Sequence, residues 1–314
     1  MGQLQNVYQY KRENGQYFTR RNIFKHKAFY AWAKKANIKN ELVLEPFAGA
    51  NYLIEMLKEV GLCNNYKSFD INPQNKFVIK QDTLINFPKG YNVVITNPPY
   101  LAKNSATRRG IHYIDNIYDD LYKYALEKCL NNVGYVGAII PASFLNSGLF
   151  RNRLAYYILL PYTDMFLDTE HPVCLALFEP FVKDTIVYEK DKKIGFLRDL
   201  EKFIPVEKSN IKVKFNSIDG NIGLIGIDNT ISNTISFVKS SKIPKEKIKP
   251  TSRSLTRIKV DKKINIELLN EKLEFFRYKT SDIFLTPFKG IRKDGKFRRR
   301  LDFNFAKKLI LSLD

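Results

Sequence analysis

Short apolar runs recur through the first 180 residues, each closed by an acid, a proline or a small-residue turn. Leu42, Val43 and Leu44 run into Glu45-Pro46 and the turn residues Phe47 to Asn51, and a helix-like stretch follows from Tyr52 to Val60. YKSFDINP (66–73) and KFVIKQD (76–82) each read as a strand ending at an acid, and YNVVITNPPY (91–100) as a third ending at Asn-Pro-Pro-Tyr. Residues 22–36 carry apolar and aromatic positions at helical spacing with Asn22 as N-cap, and 119–130 repeats that spacing. A buried strand is expected in 134–145, and two closing strands in 164–168 and 172–180.

Strands alternating with helices predict βαβ units and a mostly parallel sheet, so the expected class is α/β: a Rossmann-like sheet with helices on both faces. Ligands of such sheets sit beyond the carboxyl ends of the strands, where every unusual polar group named above falls. After Phe181 the texture changes to Lys-rich and Ile-rich segments without βα rhythm, which places a domain boundary near 182. The expected organisation is a catalytic domain over 1–182 and a smaller basic domain over 183–314.

The net charge of +20 is unevenly spread: from Lys183 onward there are 31 Lys/Arg and 17 Asp/Glu, a balance of +14, against +6 for the rest. That asymmetry points to a polyanion partner reached mainly through the C-terminal part, the plain alternative being a soluble Lys-rich surface. Cys63, Cys129 and Cys174 are odd in number and far apart, which fits neither a disulfide framework nor a zinc site. They are expected as buried, reduced thiols in a cytoplasmic protein. The N-terminal residues are too polar for a secretory signal, and no apolar run approaches a membrane span. His26, His112 and His171 are scattered, so no metal is expected.

Among the motifs, Asn97-Pro98-Pro99-Tyr100 is the most informative. Two prolines after a buried strand fix φ near −65° and remove backbone donors, leaving a rigid turn with outward carbonyls. The run 45–51 is a common packing turn when taken alone, and Asp70 and Asp82 alone could simply cap turns.

In their order, these pieces resemble the gamma class of DNA adenine-N6 methyltransferases: GQYFT (15–19), then EPFAGAN (45–51), Asp70, Asp82 and NPPY (97–100), then a C-terminal target recognition domain. The resemblance covers roughly residues 13–182. It implies S-adenosylmethionine as cofactor, held at its methionine end by Tyr17, Thr19 and Glu45 with the backbone of Ala48, Gly49 and Ala50 beneath. It implies further that Asp70 takes the ribose hydroxyls, Asp82 the adenine amino group, and Phe47 and Ile71 the ring. Asn97 and the carbonyl of Pro98 would accept both hydrogens of the target amino group, Pro99 would stiffen the turn, and Tyr100 would stack on a base flipped out of the duplex. His171 is the nearest candidate for the other face of the base, or else an ordinary loop histidine beside a proline. Arg20 stands where the family has proline, and Asn51 where it has glycine, although asparagine tolerates positive φ.

The segment 102–110 reads as a mobile basic loop over DNA, with Lys103, Arg108 and Arg109 as contacts and Gly110 as hinge. In the C-terminal domain, 288–300 reads as a hairpin turning at Asp294-Gly295. There Arg292, Lys293, Arg298, Arg299 and Arg300, with Arg253 and Arg257 upstream, are candidate phosphate or guanine contacts, or else a solvated basic face. The expected partners are double-stranded DNA and a restriction endonuclease acting on the same site without direct contact, and no membrane. RNA adenine methylation and a catalytically silent DNA-binding methyltransferase fold are the alternatives. Glutamine methylation fits the domain layout poorly, and a dehydrogenase would want Gly-x-Gly-x-x-Gly after the first strand.

Overall fold

The computed structural model describes residues 19–166 and 170–313 and divides into two units. The first runs to Lys193, without Leu145–Ser147; the second takes Leu145–Ser147 and the chain from Ile194 onward. The boundary thus falls 11 residues beyond the expected one at 182, because the chain adds two more strands to the first sheet before leaving it.

In chain order the first unit contains α1 (Lys27–Lys35), β1 (Leu42–Glu45), α2 (Tyr52–Glu59), β2 (Asn65–Asp70), β3 (Ile79–Lys80), β4 (Val93–Thr96), α3 (Lys103–Arg109), α4 (Leu121–Asn132), β5 (Tyr135–Pro141), β6 (Leu154–Leu159), β7 (Val173–Phe178) and β8 (Ile186–Glu189). β9 (Lys192–Phe196) carries the chain across the boundary. One nine-stranded sheet has the order β3-β2-β1-β4-β5-β7-β6-β8-β9. β1 to β5 are parallel, and β7 lies antiparallel between β5 and β6. Every residue of β4 and β7 is buried, as continuous apolar runs in a sheet covered on both faces should be. Gly137 in β5 is required by packing: a Cβ there would come within 2.7 Å of Ile95 Cδ1 and 3.5 Å of the Trp32 ring. Trp32, wholly buried, donates from Nε1 to the Phe178 carbonyl at 2.9 Å and ties α1 to β7.

Several elements differ from expectation. α1 begins at Lys27, with His26 as its N-cap; Asn22 instead accepts from the Phe24 amide. The strand expected at 76–82 shrinks to Ile79–Lys80 at the sheet edge, both exposed. The closing strands are β6 and β7: of 164–168, the described part makes only a bridge between Phe166 and Thr19. The apolar run Leu154–Leu159, set off by Asn146-Ser147-Gly148 before it and Pro161 after it, was not among the expected strands. The segment 102–110 forms the helix α3 with Gly110 as its C-cap at φ 64°, so the expected loop is ordered at its centre.

The second unit contains α5 (Leu197–Glu201), β10 (Val213–Lys214), β11 (Ile222–Ile225), β12 (Ser236–Lys239), β13 (Leu255–Val260), α6 (Ile266–Thr280), β14 (Thr286–Ile291), β15 (Phe297–Arg300) and α7 (Phe303–Leu311). β10-β13-β11-β12 form an antiparallel sheet, and β14 and β15 form the hairpin expected from Asp294-Gly295, with Gly295 at φ 76°.

Candidate functional site

The chain passes to opposite sides of β1 when it makes β2 and β4, so a topological switch point lies at the carboxyl ends of β1 and β4. Glu45 ends β1, Asp70 ends β2 and Asn97 follows β4. The turn after Glu45 needs positive φ twice, at Gly49 (50°) and at Asn51 (68°). Asparagine therefore does at 51 what a glycine could do, and Ser68 Oγ fixes it by donating to Asn51 Oδ1 at 2.6 Å. Asp70 closes the turn from the neighbouring strand: Oδ2 accepts from the Gly49 amide (2.8 Å) and Oδ1 from the Asn72 amide (2.7 Å). Each oxygen of an ionised carboxylate keeps a further lone pair for a ligand.

A cavity of about 380 Å³ opens at this point. Thr19, Glu45, Phe47, Ala48, Gly49, Asp70, Ile71, Asp82, Asn97 and Pro99 all lie on its wall. Asp82 Oδ1 also accepts from the amides of Leu84 and Ile85. Tyr17 lies outside the described residues. Sequence reasoning missed the wall formed by Leu101, Ile111, His112, Tyr113, Ile114 and Leu121, and that formed by Tyr52, Leu53 and Thr83 to Ile85. These are ordinary apolar and loop residues with no motif to mark them; only the helical spacing around Leu121 hinted at a buried face.

Glu45 is 1% exposed. Its Oε1 accepts from Thr96 Oγ1 (2.8 Å) and from the Phe47 amide (3.1 Å), whereas Oε2 is buried without a partner. Burial pushes its carboxyl up to about 8; the Thr96 and Phe47 hydrogen bonds oppose this, and the charge of Asp70 adds to it. Thr19 Oγ1, on the same wall, is also buried and unpartnered. Buried polar atoms without partners are rare, and two on one cavity wall mark where a polar ligand belongs. The arrangement suits a ligand with an ammonium for Glu45, a diol for Asp70 and an apolar ring beside Phe47 and Ile71, which are the parts of S-adenosylmethionine.

Pro98 is buried and His171 half-buried, both off the cavity wall, as is the buried Tyr100. Its hydroxyl lies 2.5 Å from Asn97 Oδ1 and 2.7 Å from the Ile139 carbonyl oxygen. The His171 ring is tilted 38° to that of Tyr100, with centroids 5.8 Å apart. A base sandwiched between them needs about 7 Å, two contact thicknesses, so this pair must spread to admit one.

The expected DNA contacts separate by exposure into three groups. Lys103, Arg108, Arg109, Arg253 and Lys293 are exposed. Arg292 and Arg299 are buried, which corrects their assignment as contacts. Arg292 donates to Asp228 and Asp294, and Arg299 Nη1 to the Leu285 carbonyl. Asp228, wholly buried, also accepts from Arg277, so Arg277 and Arg292 neutralise an interior acid. Arg298 and Arg257 are half-buried and donate to backbone carbonyls, Arg298 to Asp228 and Arg257 to Ile243 and Ile218. Arg300 is half-buried, with Nε turned inward. The three cysteines are free and buried, and among the described residues there is no cluster able to hold a metal and no helix long and apolar enough to cross a membrane.

Residues 11–160 match the Eco57I restriction-modification methylase family. None of the curated proteins matches the chain. Among solved structures it is similar to a protein of Listeria monocytogenes assigned to the class I S-adenosylmethionine-dependent methyltransferases (16% identity, 52% of this chain and 64% of that one, TM-score 0.37). It is also similar to the protein of a DrdV–DNA complex (12%, 57% and 28%, TM-score 0.42) and to the M protein of the type I restriction enzyme EcoKI (13%, 81% and 71%, TM-score 0.33). The chain thus spans less than two thirds of the first two of these.

Proposed function

We propose that the chain is a DNA methyltransferase that transfers a methyl group from S-adenosylmethionine to the N6 amino group of an adenine flipped out of the duplex. The observation that carries this reading is the unpartnered Glu45 Oε2 on the same cavity wall as Asn97 and Pro99 of the Asn97-Pro98-Pro99-Tyr100 turn. The match over 11–160 supports it.

Bound S-adenosylmethionine supplies a methyl group activated by its sulfonium. Glu45 Oε2 would accept from its ammonium, Thr19 Oγ1 would serve the same polar end, and Asp70 would accept from the ribose. On the target side, Asn97 Oδ1 and the Pro98 carbonyl accept both amino hydrogens, which turns the nitrogen lone pair from the ring toward the methyl group. The Tyr100 hydroxyl has one proton and two acceptors within reach. When it turns to Ile139, Asn97 Oδ1 is released for the target. The remainder is alignment for an in-line displacement. Exposed basic residues such as Lys103, Arg108, Arg109, Arg253 and Lys293 supply phosphate contacts. A restriction endonuclease acting on the same site fits this reading without touching the chain.

The test is transfer of tritium from labelled S-adenosylmethionine to duplex DNA, followed by nucleoside analysis. N6-methyladenine in DNA is the expected product. Label in RNA alone, or none in the presence of bound cofactor, would replace this reading with one of the two alternatives. A duplex carrying 2-aminopurine at the target should brighten on binding as that base leaves the stack.

A further inference from the structure

Asp120 takes no part in the chemistry above, yet it stands immediately behind it. It is the extended residue before α4, and its Oδ1 accepts a hydrogen bond from the Leu101 amide at 3.1 Å, 19 residues back along the chain. Leu101 directly follows Tyr100. Around this contact the backbone is stapled: Ala102 and Asp120 form an antiparallel bridge, the Leu121 amide donates to the Leu101 carbonyl (3.0 Å) and the Lys103 amide to that of Asp119 (2.8 Å). Leu101 and Leu121, on either side of the staple, both line the cavity. The next residue, Tyr122, is buried and packs its ring edge-on against Tyr100, with centroids 6.1 Å apart. Tyr100 is thus held through its own chain by Leu101 and through its ring by Tyr122, and Asp120 joins the two.

A carboxylate is a costly residue for this place. Asp120 is largely withdrawn from water, and burial raises its carboxyl to about 6 against the pull of neighbouring backbone amides. The nearby lysine, Lys123, pairs with the exposed Asp119 instead. The carboxylate nevertheless reaches across the bridge to accept from the Leu101 amide at 3.1 Å, a bond that its charge strengthens.

We propose that Asp120 is a positioning residue: its carboxylate holds the Leu101 amide and thereby fixes the Tyr100 ring against which the target base packs. This rests on the reading of the site as a base-methylating one.

The experiment uses the full chain as wild type, Asp120→Ala, Asp120→Asn, Asp119→Ala, Tyr100→Ala and the double variant of Asp120→Ala with Tyr100→Ala. Backbone hydrogen exchange over 100–103 should speed up in Asp120→Ala and stay as in wild type in Asp119→Ala. The single-turnover rate should fall on the order of tenfold or more in Asp120→Ala, the scale of a small misplacement of a reacting group. Asp120→Asn, which keeps an acceptor oxygen, should recover most of that loss and serves where the alanine variant folds poorly. In the Tyr100→Ala background the Asp120→Ala loss should disappear, since residues acting through one another are not additive. Unchanged exchange, or additive losses, would overturn the proposal. Absence of any transfer by folded wild type would sink the methylation reading instead, and the exchange data would still decide whether Asp120 holds this wall.

Discussion

The Tyr100 hydroxyl donates to Asn97 Oδ1 across 2.5 Å, so the residue expected to stack on the target also covers the atom expected to receive it. Asn97 is expected to act mainly on the target side, so Asn97→Ala should abolish methyl transfer while the cofactor dissociation constant moves by less than about threefold, a shift worth under 1 kcal/mol. Calorimetry with S-adenosylmethionine, alongside a tritium-transfer assay, reads both. Turnover close to wild type would remove Asn97 from the catalytic set.

Glu45 predicts a pH dependence. Burial pushes its carboxyl to about 8 in the folded chain against an ordinary 4.5, so it is mostly protonated at neutral pH and loses that proton to form an ion pair with an ammonium. Cofactor affinity should therefore rise as pH approaches 8, with release of a proton that calorimetry in two buffers of different ionisation heat detects. Glu45→Gln should bind weakly and show no such rise. Stability follows the opposite sense: the raised value stabilises the cofactor-free fold fully below about 4.5, and that contribution is lost as pH rises through about 8. The melting temperature of Glu45→Gln should accordingly fall less than that of wild type between pH 5 and pH 9.

Asp70 is expected to act twice, on the ribose and on the Gly49 amide. Asp70→Ala should weaken cofactor binding by roughly 2 kcal/mol or more, the scale of lost hydrogen bonds to a charged group. An unchanged dissociation constant would exclude both roles.

The second unit separates surface arginine from interior arginine. Arg292→Ala removes a partner of the wholly buried Asp228 and should lower the melting temperature, costing about 1–3 kcal/mol. Lys293→Ala, at the exposed hairpin tip, should leave melting alone and flatten the slope of log affinity for duplex DNA against log salt by about 0.9. Equal melting temperatures for wild type and Arg292→Ala, or equal salt slopes for wild type and Lys293→Ala, would contradict this division.

Residues whose role follows from local chain geometry were legible in the sequence. Apolar runs closed by an acid or by prolines mark β1 and β4, because a strand buried on both faces must be apolar, and Asp70 at the end of the more polar β2 marks the cavity with them, because a ligand must meet polar groups where strands stop. The hairpin at Asp294-Gly295 was legible for the same reason, since a tight turn demands residues that accept positive φ. The tertiary structure alone decided which charges face water. Arg292, Lys293, Arg298 and Arg299 lie within eight residues, yet the strand alternation of β15 and the buried Asp228, contributed from 64 positions before Arg292, draw some inward and leave Lys293 outside. It alone likewise brought Asp120 to Leu101 and left Glu45 with one unpartnered oxygen, because burial and long-range hydrogen bonds depend on which segments meet and no local pattern records that.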